Sequence, residues 1–255
     1  MKYVDLNSDI GESFGRYTLG LDGEIIPVIS SANIACGFHA GDPLILNKTI
    51  ENCKAQETAI GAHPGYPDLM GFGRRKMDVT PDEAKAYTLY QLGAFSAFAK
   101  AHGLPIQHLK LHGAFYNTVC VNEVLSNAVV DAVKSFDPSI IIMGLSGSIL
   151  LQVAESKGLK ACHEIFADRG YTDEGTLVPR SQPGAMIHDE NIAIERILRM
   201  VKENKVTSVN GKEITIKADS ICVHGDNAKA VQFVKTIRQA LEENDVTVAP
   251  LHQFL

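Results

Sequence analysis

Four short apolar runs in this chain each end in a histidine that a glycine follows within two residues. The runs are rich in β-forming residues, and a loop and then a helical pattern follow each of them, which is typical of βα units. Parallel α/β sheets bind their ligands at the carboxyl ends of the strands. We therefore expect four histidines to converge on one site: His39, His63, His112 and His224.

Strand and helix patterns alternate along the chain. Strands are predicted over 3–9, 29–34, 58–62, 106–111, 140–145, 160–166, 220–223 and 247–249, and helices over 43–55, 81–102, 123–136, 148–157, 189–203 and 227–244. Seven or eight such units in 255 residues predict a closed (β/α) barrel, with an open doubly wound sheet as the alternative. We expect a single domain over 1–255, with a β-hairpin excursion near 206–217 that turns at Asn210-Gly211.

Composition narrows the class of protein. A net charge of −6 argues against nucleic acid or an anionic membrane as a partner. No apolar stretch approaches the roughly 18 residues that span a bilayer. The first residues lack a basic segment followed by an apolar one, so we expect a cytoplasmic protein. Five cysteines without a C-x-x-C pair predict neither a disulfide framework nor a zinc ribbon.

Strand side chains alternate between two faces, which assigns polar residues to one side of the predicted barrel. In the first strand Asn7 and Asp9 share a face, and Val4 and Leu6 share the other. The apolar face packs under the helices, so the polar face points into the lumen. We expect that lumen face to carry Asn7, Asp9, Asn33, His39, His108, Lys110 and His112.

Two long loops rich in glycine or proline, at 64–78 and 167–185, add to the predicted site. Loops of this length in a compact domain are usually lids or binding loops. Their guanidinium groups could bind a carboxylate or phosphate by paired hydrogen bonds. The candidates are Arg74, Arg75, Arg169 and Arg180. The chain has no P-loop and no Gly-x-Ser-x-Gly elbow.

Two kinds of chemistry fit the predicted lumen. Asp9 with two or three histidines could hold a divalent metal ion, the candidates being His39, His63 and His112. Without a metal, Asp9 or a histidine could act as general base while Lys110 stabilises an oxyanion. Both alternatives describe hydrolysis of a carbonyl compound, and the residues alone do not choose between them.

Taken together, several segments resemble the LamB/YcsF family. The matching stretches are DLNSDIGE (5–12), SANIACGFHAGD (31–42), GAHPGYPD (61–68), GFGR (71–74), KLHGAFY (110–116), FADRGY (166–171), LVPR (177–180) and VHGD (223–226). They span nearly the whole chain. Leu111 departs from the proline that is usual before the histidine, and it is expected to face the helices.

The resemblance implies a barrel related to the polysaccharide-deacetylase-like barrels. It also implies one subunit of an ATP-dependent 5-oxoprolinase, which opens the lactam of 5-oxo-L-proline to L-glutamate with two partner subunits and with ATP bound through the complex. A homo-oligomer would also be compatible. The expected catalytic residues are Asp9, Lys110 and His112. The expected substrate-binding residues are Asn7, Glu12, Asn33, His39, His63, Arg74, Arg169, Arg180 and His224.

Two other functions are compatible with these residues. A metal-dependent amidase or deacetylase acting alone on an N-acyl sugar would need neither ATP nor partners. A non-catalytic binding subunit would tolerate substitutions in the lumen, and the inward-facing charges count against it.

Overall fold

The computed structural model describes residues 2–225 and 227–255, so Asp226, at the end of the 223–226 stretch, lies outside the described residues. The strands are β1 (Lys2–Ile10), β2 (Ser31–Ala35), β3 (Ala59–His63), β4 (Ile106–Lys110), β5 (Ile141–Leu145), β6 (Ala161–Phe166), β7 (Lys205–Thr207), β8 (Glu213–Thr215), β9 (Ser220–Val223) and β10 (Val246–Val248). The helices are α1 (Asp22–Ile25), α2 (Pro43–Ala55), α3 (Pro81–His102), α4 (Gly113–Val119), α5 (Glu123–Phe136), α6 (Ile149–Ser156), α7 (Glu190–Glu203) and α8 (Ala228–Glu243).

In the described part of the chain, seven parallel strands close into a barrel in the order β1-β2-β3-β4-β5-β6-β9, because β9 pairs back onto β1. The predicted (β/α) barrel is therefore confirmed, and the open doubly wound sheet is wrong. Strand β10 extends the sheet beside the first half of β1, with Lys2 opposite Val246. Strands β7 and β8 form an antiparallel pair separate from the barrel sheet. They lie where the hairpin near 206–217 was predicted, with β7 starting one residue earlier.

Local signals in the sequence set the helix bounds. Thr80 and Glu83 form a reciprocal capping box at the start of α3, and Asp42 accepts backbone hydrogen bonds at the start of α2. Helix α3 ends at Gly103, whose φ of 70° suits glycine. Helix α4 was not predicted, because seven residues are too few to show a helical period. Among the described residues, no helix has both the length and the apolar composition that crossing a bilayer requires.

The two faces of the strands carry different kinds of residue. Val4 and Leu6 are fully buried on the outer face and pack against the helices in the main core. The inner face is polar towards the carboxyl ends of the strands. Towards the other end, the buried Asp5 carboxylate accepts hydrogen bonds from Ser30, Ser31 and Ser220. A second, apolar cluster lies there too, in which Leu251 of a C-terminal 3₁₀ turn packs on Ile141, Met143 and Cys162.

Gly61 in β3 makes room for the imidazole of His108 in the lumen. A Cβ atom at this position would lie 2.2 Å from His108 Nε2, and the β3–β4 register shifts between Ile60 and Gly61. His108 Nε2 is 2.7 Å from Asn33 Oδ1, so the glycine also permits that contact.

We expect Gly61→Ala to lower the free energy of unfolding by about 1–3 kcal/mol, because overpacking must displace His108. Gly93→Ala is the matched control, since a Cβ atom there, inside α3, meets nothing within 4 Å. This control should raise stability by up to about 1 kcal/mol. Urea unfolding of both variants tests the prediction, and equal effects would contradict it.

Candidate active site

A buried lysine lies at the centre of the polar end of the lumen. Lys110, the last residue of β4, is 2% exposed, and its Nζ is 2.9 Å from Asp9 Oδ1 and 2.8 Å from Glu164 Oε1. Burial alone would lower the pKa of Lys110, but the two carboxylates outweigh it and raise that pKa well above its usual value. Lys110 is therefore a permanent cation in the lumen.

Glu164 in β6 is a site residue that the sequence patterns did not predict. Its side chain is fully buried, and it accepts a hydrogen bond of 2.7 Å from the Tyr116 hydroxyl. A glutamate inside an apolar strand requires a buried partner, so its presence in this strand could have indicated a site residue. The adjacent His163 is also ionisable, so the strand sequence alone did not single out Glu164 as the buried charge.

Asn7 and Asn33 support the lysine and Asp9 from below. Asn33 donates to Asn7 Oδ1 at 2.7 Å and to Asp9 Oδ1 at 2.8 Å, and Asn7 Oδ1 also lies 3.3 Å from Lys110 Nζ. Both asparagines are fully buried. The structure therefore gives both asparagines contacts with other site residues, and the contact with substrate that the resemblance implies stays a prediction.

Three of the four predicted histidines come together beside Asp9. His63 Nε2 is 3.2 Å from Asp9 Oδ2 and 3.0 Å from His112 Nδ1, and the rings of His39 and His112 stack with centroids 3.7 Å apart. Glu12 Oε1 is 3.2 Å from His39 Nε2. We call Glu12, His39, His63 and His112 the histidine cluster, and their ligand atoms all lie within 4.8 Å of one another.

Backbone carbonyls fix which ring nitrogens carry hydrogen in this cluster. His63 Nδ1 is 2.7 Å from the Lys110 carbonyl and His112 Nε2 is 2.9 Å from the Phe72 carbonyl, so these nitrogens donate. The other two nitrogens then point their lone pairs at each other across 3.0 Å. Two lone pairs repel at that distance unless a cation, either a proton or a metal ion, lies between them.

Burial controls the charge of two rings in the histidine cluster. Burial lowers the pKa of His39 and of His112 well below the usual value, so both rings are uncharged at pH 7. The pKa of Asp9 is also lowered well below its usual value: burial opposes this shift, but His63 and Lys110 outweigh it. Neutral imidazoles oriented by carbonyls are typical metal ligands. This cluster shares His39, His63 and His112 with the predicted metal set and has Glu12 in addition, while Asp9 Oδ1 is bound to Lys110 and Asn33. The metal itself stays a prediction.

Gly73 in the 64–78 loop lets that loop close over the cluster. It has a φ of 61°, and a Cβ atom there would lie 2.7 Å from His39 Cβ and 2.9 Å from His112 Cδ2. The adjacent Phe72 supplies the carbonyl that orients His112. The loop is therefore a wall of the site.

The site opens into a cavity of about 880 Å³ at the carboxyl ends of the strands. Asp9, Glu12, Lys110 and His112 line it, together with residues of both long loops and of α8. This volume has room for more than one small ligand.

The predicted arginines differ in their surroundings. Arg74 and Arg180 line the cavity, and Arg74 lies 5.0 Å from the Phe72 ring centroid. Arg169 is 7% exposed and donates to the carbonyls of Val178 and Ala185, so it holds the 167–185 loop in shape. Arg75, another candidate, is paired with Asp68 instead.

His224, the fourth predicted histidine, stands apart from the histidine cluster. It follows β9, and its Nδ1 is 3.4 Å from Oδ2 of Asp168, which follows β6. Both residues line the same cavity as Asp9 and His112. Asp168 was not predicted, because its partner is distant in sequence and is brought close by the pairing of β6 with β9.

Together these observations define a class of protein: a closed parallel (β/α) barrel with a charged, histidine-rich cavity at the carboxyl ends of its strands. The chain belongs to the LamB/YcsF family, whose model matches residues 4–255.

Two relatives of substantial sequence identity agree with that assignment. A Campylobacter jejuni protein named as a subunit of 5-oxoprolinase is 57% identical over 252 residues, which cover 99% of each chain. The crystal structure of a lactam utilization protein from Thermus thermophilus superimposes with a TM-score of 0.92, at 46% identity over 98% of this chain and 99% of that one. The catalytic domain of a peptidoglycan N-acetylglucosamine deacetylase from Eubacterium rectale aligns at 13% identity over 98% of this chain and 88% of that one, with a TM-score of 0.49.

The buried ion pair between Lys110 and Glu164 yields a stability prediction. Lys110→Met should lower the free energy of unfolding by about 3–5 kcal/mol, because it leaves buried carboxylates uncompensated. Adding Glu164→Gln should recover part of that loss, with a coupling energy of about 1–3 kcal/mol.

The control cycle uses Lys157→Met and Asp131→Asn, since these two residues form a surface ion pair. Its coupling should stay below about 1 kcal/mol. Urea unfolding at pH 7 measures both cycles, and a buried coupling no larger than the surface one would contradict the account.

Proposed function

We propose that this chain is the lactam-opening subunit of an ATP-dependent 5-oxoprolinase, which hydrolyses 5-oxo-L-proline to L-glutamate. The observation that carries this proposal is the convergence of acceptor atoms in the histidine cluster, beside the buried Lys110–Asp9 pair, on a cavity wall. Such a site polarises a carbonyl group and activates water, the two needs of amide hydrolysis. The names of the relatives supply the substrate class.

The histidine cluster fits a divalent metal ion. Its inward atoms are two nitrogens with lone pairs fixed by backbone carbonyls, a third imidazole nitrogen and a carboxylate oxygen, which is a donor set suited to zinc or a similar ion. When bound, the ion would supply Lewis-acid activation of a carbonyl oxygen and of water. The residues that would hold it are Glu12, His39, His63 and His112.

The protein's own groups have separate tasks in this proposal. Lys110 keeps Asp9 ionised and adds a fixed positive charge to the floor of the cavity, which favours negative charge developing on the carbonyl oxygen. His112 and Glu12 line the cavity, so what they hold would face the reacting carbonyl and water from the wall. The lowered pKa makes Asp9 a weak base, so its task is to hold the charged Lys110 in place rather than to remove a proton.

ATP and the partners enter through the chemistry of the lactam. A five-membered lactam is a poor electrophile, and phosphorylation of its carbonyl oxygen would activate it. The chain has no P-loop, so we assign much of the ATP chemistry to two partner subunits. The relatives are named as subunits, which supports an assembly of several chains.

An assay of each purified component and of the reconstituted complex tests this division. Glutamate and ADP should form from 5-oxo-L-proline and ATP when all components are present. Lactam-stimulated ATPase activity from this chain alone would contradict the division. ATP-independent release of acetate from an N-acetyl sugar would support a stand-alone deacetylase instead.

We expect Asp9→Ala and His112→Ala each to lower glutamate formation by at least about 100-fold, because each removes a group that acts on or orients the reacting atoms. Both variants should retain the far-UV circular dichroism of the wild type. His102→Ala, at the end of α3 and outside the cavity, is the control and should keep its activity. Near-wild-type turnover by Asp9→Ala and His112→Ala would favour a non-catalytic binding subunit.

We also expect protein purified without added metal to contain a divalent ion. The double variant His39→Ala/His63→Ala should bind that ion at least about tenfold more weakly, because it removes two of four ligands. Elemental analysis and competition with a chelator measure this affinity. Full activity of the wild type after its metal has been stripped would show that the reaction needs none.

A further inference from the structure

The ion pair between Asp168 and His224 is a second charged group in the cavity, outside the histidine cluster. The two side chains are 23% and 26% exposed, and the atoms of the pair are 3.4 Å apart. They follow neighbouring strands, β6 and β9, where Phe166 pairs with Cys222. The pair therefore stands on a rigid part of the barrel and faces the same space as Asp9 and Lys110.

The Asp168 carboxylate is committed to the histidine. One of its oxygens contacts His224 Nδ1, and the other, Oδ1, is buried without a hydrogen-bond partner among the described residues. With Nδ1 held by Asp168, His224 keeps Nε2 to carry a second proton. A carboxylate that orients and charges an imidazole is a recurrent arrangement at sites of proton transfer.

The pKa of His224 is shifted in the opposite direction to those of His39 and His112. Burial alone would lower the pKa of His224, but the contact with Asp168, with help from Asp9 and against Lys110, raises it. Burial would raise the pKa of Asp168, and His224 lowers it. The pair therefore favours the imidazolium and the carboxylate, whereas burial favours the neutral rings of His39 and His112.

Opening a lactam requires a proton at the ring nitrogen, because that nitrogen cannot leave as an anion in water. We propose that His224, oriented by Asp168, is the general acid that supplies this proton, an inference that rests on the proposed function. Water adds to the carbon that bears the phosphorylated oxygen and releases a proton to solvent. The carbon–nitrogen bond then breaks as the new hydroxyl oxygen becomes a carbonyl and gives its proton to solvent; the electron pair of the broken bond stays on nitrogen, and the His224 Nε2 proton completes the amine. The acyl phosphate that remains is hydrolysed by a second water to the side-chain carboxylate of glutamate and inorganic phosphate.

Four other cations in the described cavity are poor donors; Lys229 and His188 line it as well but lack the carboxylate partner that His224 has in Asp168. Lys110 has a raised pKa and is bound to Asp9 and Glu164, so it does not release its proton at neutral pH. Arg74, Arg169 and Arg180 hold their protons too tightly for general-acid catalysis. His224 lines the cavity, its Nδ1 is held by Asp168, and its raised pKa favours the protonated ring, so it is the better-placed donor.

The test uses the reconstituted complex with 5-oxo-L-proline and ATP, and it measures glutamate and ADP separately. In His224→Gln, kcat for glutamate should fall by about 10²–10⁴-fold. KM for 5-oxo-L-proline should change by less than about twofold, since the group acts in the transition state. ADP formation should continue, because phosphorylation of the lactam precedes the step that fails.

Asp168→Asn tests the pH dependence of kcat, which a purely structural role of the pair would leave unchanged. In the wild type, kcat should fall as pH rises through the raised pKa of His224, because the donor loses its proton. Removing the carboxylate lowers that pKa, so the alkaline limb of the kcat profile should shift to lower pH. His102→Gln is the control for the same chemical change outside the cavity, and it should leave the profile unchanged.

The outcomes separate this inference from the proposed function. If the wild-type complex makes no glutamate, the proposed function fails. If the wild type is active and His224→Gln keeps kcat within about threefold, or loses activity only through KM, the acid role is wrong. An unshifted profile in a folded Asp168→Asn complex would also overturn it.

Discussion

A protonated lysine enclosed by a barrel requires nearby negative charge, and this requirement organises the lumen. Moving an ammonium group out of water costs several kcal/mol unless partners compensate it. Asp9 and Glu164 provide that compensation, while Tyr116 and Asn7 satisfy the remaining polar atoms. Because each member holds another in place, the network can act as a preorganised site.

Position on the barrel divides the titratable groups into two sets with opposite properties. The histidine cluster is buried behind the 64–78 loop, and this burial favours the neutral rings of His39 and His112, which offer lone pairs. His224 faces the same cavity beside Asp168, whose carboxylate favours the protonated ring. Groups whose environments push their pKa values apart are the usual basis for assigning acid and electrophile-activating tasks. The cavity lies between these two sets, so an amide bound there could have its carbonyl oxygen near one set and its nitrogen near the other.

Sequence patterns predicted the features that local periodicity controls. The period of two in β1 and β4 was sufficient to place Asp9 beside Lys110, and capping residues set the bounds of α2 and α3 closely. Features that depend on pairing between distant strands could not be predicted from local sequence patterns. Glu164 acquires its role only across the barrel, and Asp168 meets His224 only because β7 and β8 leave the barrel and let β9 pair with β6. Four converging histidines were expected, and three converge.

The central claim is that the cavity binds the lactam between the histidine cluster and the Asp168–His224 pair. A crystal structure of this chain soaked with 5-oxo-L-proline tests it most directly. We predict that the lactam carbonyl faces the histidine cluster and Lys110, and that the ring nitrogen lies within hydrogen-bond distance of His224 Nε2. A lactam bound outside this cavity, or with its nitrogen facing away from His224, would contradict the account.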